Sequence, residues 1–169
     1  MYHTKRVLTK SNRAYSYENL ISIVAWTQNL GYASMQSRIV EIEGIGAAYG
    51  KKFLDVGVKT TDDLLEAGST EMKRKELAEK TGISHTLIVE WINRADLFRI
   101  KGVATQYSDL LEAAGVDTVV ELSKRVAENL KEKIEQTNKE KKLVRRTPAL
   151  SRIRDWIEQA KKLPRKVEY

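Results

Sequence analysis

The chain has 169 residues and no cysteine, which excludes disulfides and thiolate metal sites; its two histidines, His3 and His85, do not supply a histidine-based metal or catalytic cluster. A composition that is 41% hydrophobic and 31% charged suits a soluble globular chain with a real core, no apolar run approaches membrane-spanning length, and the absence of cysteine makes a reducing cytoplasm the expected compartment. The net charge of +7 is unevenly spread: residues 1–34 carry +3, residues 35–142 carry −1 and residues 143–169 carry +5, which argues against one uniformly basic nucleic-acid surface.

Two prolines, few aromatics and abundant Leu, Ala, Glu and Lys predict an all-α fold. Residues 1–34 read differently from the rest. Their one apolar cluster, Leu20 to Trp26, is too short and too soon broken by Thr27, Gln28 and Asn29 for a secretory signal. An amphipathic helix over 18–30 is compatible with Leu20, Ile23, Val24 and Thr27. The expectation is a poorly ordered or non-native extension, with Met35 as the natural start.

From Ile39 onward the elements follow in order. The turn Gly44-Ile45-Gly46 leads into a helix over 47–56, with Tyr49, Phe53 and Val56 at core spacing and Gly57 as its stop. Thr60 or Thr61 caps a short helix through Leu65, whose first turn carries Asp62 and Asp63. Gly68-Ser69-Thr70 breaks the chain, a helix over 71–80 ends at Gly82, and Ser84 caps the helix carrying Trp91. The same plan then recurs, with a longer helix near 124–142 and a stop before Pro148. Apart from Ile39-Val40 there is no convincing strand.

The recurrence is visible residue by residue. Ile42, Gly44, Tyr49, Gly57, Val58, Thr60 and Leu64 reappear 58 residues later as Ile100, Gly102, Tyr107, Gly115, Val116, Thr118 and Leu122. Trp91, Ile92 and Ala95 reappear 65 residues later as Trp156, Ile157 and Ala160, so the second copy has gained about seven residues. The expected division is 35–99 and 100–169. Trp91, Trp156, Tyr49 and Tyr107 are expected in the core rather than as base-stacking platforms.

EGIGAAYGKK (43–52) has the look of a phosphate cradle. A Walker loop requires four residues between its first glycine and Gly-Lys, then Ser or Thr; here the spacing fails and Lys51 is followed by Lys52. A dinucleotide fingerprint requires glycine where Tyr49 stands, together with alternating strands and helices. What remains is Gly-Ile-Gly, with apolar Ile42 just ahead of it and a helix with an apolar stripe behind it, which resembles the helix-hairpin-helix motif. The extended pattern IEGIGAAYGKKFLDVGVKTTDDLLEAG…ELAEKTGIS…IVEWINRA is similar to the helical N-terminal domain of RecA/Rad51-type recombinases. Over residues 36–169, and especially KKLVRRTPALSRIRDWIEQAKKLP, the chain resembles a family of tandem helix-hairpin-helix proteins catalogued as a domain of unknown function.

That resemblance implies two tandem helix-hairpin-helix (SAM-like) helical units and a backbone-phosphate grip, supplied by N–H groups at the turn and the following helix start. The implied contacts are Gly44, Ile45, Gly46, Ala47, Ala48, Lys51 and Lys52 in copy one and Gly102 in copy two. Separately, the basic balance of the stretch holding Lys139, Lys141, Lys142, Arg145, Arg146, Arg152 and Arg154 makes it the candidate for an accessory phosphate contact, with Arg145 and Arg146 foremost. Copy two departs from the pattern, with Ala104 matching Gly46 and Asp109 matching Lys51. Glu43, Asp62 and Asp63 lack a His, Lys or metal partner, so neither catalysis, a cofactor nor a metal is expected. The expected partner is DNA, with RNA as an alternative, bound without sequence preference and without a membrane. The competing expectation is a protein–protein interaction or scaffold module with structural hairpins only.

Overall fold

The computed structural model describes residues 38–169, so the readings made for residues 1–34 lie outside the described residues. A 3₁₀ turn at Ile39–Glu41 is followed by eight α-helices: α1 (Ala47–Asp55), α2 (Thr61–Ala67), α3 (Glu71–Thr81), α4 (His85–Leu97), α5 (Thr105–Ala113), α6 (Val119–Ser123), α7 (Ala127–Lys141) and α8 (Leu150–Lys162). The described residues are thus all-α, with no strand. Ile39-Val40, the one strand-like pair, lies in the 3₁₀ turn, and beside it Arg38 makes only an isolated bridge to Thr60.

Local chemistry sets the helix starts. The Thr60 hydroxyl accepts the Asp63 N–H at 3.1 Å, and the Asp63 carboxylate accepts the N–H groups of Thr60 and Lys59, both at 2.9 Å. This reciprocal arrangement satisfies donors that a helix start would otherwise leave orphaned. Part of it recurs 58 residues later, where the Thr118 hydroxyl accepts the Glu121 N–H and the Glu121 carboxylate accepts the N–H of Asp117. Ser84 caps α4 as expected. The helix expected over 124–142 starts later, at Ala127, because α6 closes on backbone bonds from Lys124 and Arg125 before extended Val126 opens α7.

Packing divides into two apolar clusters. The first joins residues between Ile39 and Ala95, together with Val167; the second joins residues between Leu97 and Ala160. Trp91 and Trp156 lie at corresponding places in them, each only 1% exposed. A large buried aromatic of this kind typically contributes about 3–5 kcal/mol relative to alanine. Helix α2 packs on α4 and α6 packs on α8, while α4 ends by handing Leu97 to the second cluster. The glycine turns therefore rest on helices whose inner faces are fully buried.

Candidate functional site

Each glycine turn is braced from below by the same device. Gly44 has φ +87°, a torsion that side chains resist, and a Cβ there would approach Trp91 Nε1 to 3.0 Å. Gly102 has φ +90°, with Trp156 Nε1 at 3.4 Å from the same imagined atom. Tyr49 leans on Trp91 at a centroid distance of 5.1 Å, and Tyr107 on Trp156 at 5.3 Å. One turn along each tryptophan helix a polar side chain holds the turn backbone. Arg94 Nη1 donates to the Glu43 carbonyl at 3.0 Å. Gln159 accepts the Lys101 N–H at 2.8 Å and donates to the Lys101 carbonyl at 3.3 Å. Sequence reasoning missed this pair because Arg and Gln differ chemically; the signal was their common place three residues after the repeated tryptophan.

Above the brace, Ile45 and Val103 are buried anchors, whereas Gly44, Gly46, Ala47 and Ala48 face solvent. Gly46 has ordinary extended torsions (φ −76°, ψ −178°), and Ala104 takes nearly the same ones (φ −106°, ψ −178°). Ala104 is therefore not a lost turn glycine. Neither Gly46 nor Ala104 supplies a side-chain cap, so α1 and α5 begin with first-turn N–H groups that no capping side chain covers.

The lysines separate. Lys51 is exposed, while Lys52 Nζ donates to the Gly82 carbonyl at 3.3 Å and lies 6.0 Å from the Tyr49 ring centroid. Asp109, which stands where copy one has Lys51, is engaged inside the protein. Arg94 meets Glu90 at 2.7 Å, Glu112 at 3.0 Å and Asp109 at 3.1 Å, tying α4 to α5. Burial pushes the Asp109 and Glu112 carboxyls above their ordinary values, with Arg94 pulling the other way and neighbouring acids reinforcing the rise. The Thr105 hydroxyl donates to the Glu41 carbonyl at 2.9 Å, which brings the start of α5 beside the first turn. The structure thus gathers Gly44 to Lys52 at one turn, with Gly102 on the neighbouring one. Arg145 and Arg146 are exposed on the α7–α8 connector, with no hydrogen bond or ion pair to either turn.

Among the described residues, no cluster of three or more His, Asp or Glu is disposed to hold a metal ion, and no helix is long and apolar enough to cross a membrane. The family model described as Domain of unknown function (DUF4332) matches residues 43–163, well over half of the chain. The chain belongs to that family. No curated protein and no solved structure matches it.

Proposed function

We propose that the protein is a non-catalytic nucleic-acid-binding protein of two helix-hairpin-helix units, in which the first glycine turn and the start of α1 hold backbone phosphate. DNA is the expected partner, and RNA offers the same phosphate chemistry. The observation that carries this reading is the pattern of helix starts. Helices α2, α3, α4 and α6 begin on Thr60, Thr70, Ser84 and Thr118, whose hydroxyls accept an N–H; α1, α5, α7 and α8 begin without a side-chain cap, and of these four only α1 and α5 begin at a glycine turn. A bare helix start with a positive dipole end and a nearby Lys51 suits a phosphate. Gly44 to Ala48 leave the approach unobstructed. Such binding reads no sequence and weakens as salt rises.

Gly46→Asp with Lys51→Glu tests it. A Cβ at Gly46 meets nothing within 4 Å and its torsions suit any residue, so aspartate there caps α1 without strain. Fluorescence anisotropy with a duplex oligonucleotide should show affinity falling at least about tenfold at low salt, with the melting temperature held or raised. Undetectable binding by the wild-type chain at low salt sinks the proposal.

A second reading, a protein-interaction module, is favoured by one set of contacts: Lys52 and Asp109 are both engaged within the fold. A defined protein partner retained on a pulldown after nuclease treatment supports it, and a partner lost with the nucleic acid counts against it.

A further inference from the structure

The residues that copy two has gained are not scattered. Helix α7 is four residues longer than α3, and the connector after it grows from three residues (82–84) to eight (142–149). The growth produces KEKKLVRR (139–146), five basic side chains and one acid. All five bases are exposed, and none has a hydrogen-bond or ion-pair partner among the described residues.

This connector is held rather than loose. Asn138 grips Val144 from both sides, accepting its N–H at 2.9 Å and donating to its carbonyl at 3.0 Å. Lys131 Nζ donates to the Thr147 hydroxyl at 3.1 Å. Val144 and Pro148 are buried, so Arg145 and Arg146 stand between two anchors and face water. Ordering long basic side chains on a fixed backbone lowers the entropy lost when they meet a ligand.

The end of α7 carries a second, independent sign. Lys142 has φ +53° and ψ +39°, and is the only non-glycine with positive φ among the described residues. At the matching end of α3 the same left-handed conformation is taken by Gly82, with φ +62° and ψ +29°. Glycine closes a helix in this way without strain, whereas an L side chain does not. A lysine at a strained position, beside four further bases with no ion-pair partner among the described residues, points to use of its charge.

We propose that this clasped connector is a second phosphate-contact site, in which Lys142, Arg145 and Arg146 bind the backbone of the same nucleic acid that the glycine turns engage. The inference rests on the nucleic-acid reading above and adds a site to it. Two guanidinium groups suit the planar, two-point recognition of phosphate oxygens. A membrane surface fits less well, because an interfacial segment needs an apolar face to insert. Here Val144 is buried and only Leu143 is partly exposed.

The test uses the full chain with Lys142→Gly, Lys142→Arg and the double variant Arg145→Ser/Arg146→Ser. Duplex binding is measured across a salt series, alongside thermal unfolding and binding to phosphatidylserine vesicles. Lys142→Gly should melt a few degrees higher, about 3 °C, because it relieves the helix end. It should nevertheless bind duplex about three- to tenfold more weakly at low salt, with the slope of log affinity against log salt reduced by about one. Lys142→Arg should keep the wild-type affinity without gaining stability. The double variant should lose about two from the same slope. The site is overturned if Lys142→Gly and the double variant both bind duplex with wild-type affinity and slope, or if they lose vesicle binding and keep duplex binding. If Gly46→Asp/Lys51→Glu weakens duplex binding while these variants do not, the connector proposal alone fails. If the wild-type chain binds no duplex at low salt, both proposals fail.

Discussion

Gly44 and Gly46 stand two residues apart in one turn, and the backbone asks different things of them. Gly44 combines φ +87° with an indole nitrogen 3.0 Å from where its Cβ would sit, so any side chain meets both strain and a clash. Gly46 has extended torsions, open space around it and an alanine at its counterpart, Ala104. Gly44→Ala should therefore cost about 1–3 kcal/mol, while Gly46→Ala should stay within about 0.5 kcal/mol of wild type. Chemical denaturation of the two variants checks this, and equal losses would refute the assignment. The sequence shows both glycines but not this distinction. A glycine demanded by its torsion and one chosen for smallness look alike until φ is known. The same limit applied to Arg94 and Gln159, where unlike residues do one job, and to Asp109, whose partner lies 15 residues earlier on another helix.

Among elements, the helix starts were the most legible part, because capping depends on a few adjacent residues: Thr60 with Asp63, and Ser84 before α4. The separation of α6 from α7 was not legible, since Lys124 and Arg125 are both good helix formers, yet their N–H groups close α6 on Glu121 and Leu122 before extended Val126. The α4–α5 interface was not legible either. It places one cation, Arg94, among Glu90, Asp109 and Glu112, and holds the side chains of Arg94, Asp109 and Glu112 at 14%, 23% and 26% exposure. Removing the cation leaves half-buried acids facing one another, so Arg94→Leu should cost about 2–3 kcal/mol near neutral pH. The pH dependence has a definite sign. Asp109 and Glu112 already titrate above their ordinary values, and without Arg94 they rise further. Each then favours the fold fully when protonated, below its unfolded pKa, and loses that contribution as pH rises through its folded value. The gap between Arg94→Leu and wild type should accordingly narrow as pH falls towards about 5, as read from denaturant midpoints. A gap that widens on acidification would show that the cluster is held by something other than its charges.

At the scale of the whole molecule, the chain crosses back on itself after α8. Val167 enters the first apolar cluster, the Glu168 N–H donates to the Ser69 carbonyl at 2.8 Å, and buried Arg74 donates to the Glu168 carbonyl at 2.8 Å. The Tyr169 ring covers the Arg74 guanidinium at 4.7 Å. Nothing periodic marks residues 164–169, so a return across 94 residues could not be read from local pattern. Together with the Arg94 cluster it fastens the second copy to the first, and it does so by filling the first core rather than its own. Val167→Asp places a charge in that core, at a residue 3% exposed, and should cost about 2–4 kcal/mol. The loss should not be shared evenly. Amide exchange by NMR should quicken at Ile88 and Ile92 of the first cluster well before Ile153 and Ile157 of the second, because the second keeps every contact it had. Equal quickening at all four would mean that the two clusters open as a single cooperative body, with the crossing segment as only one contact among many holding them together.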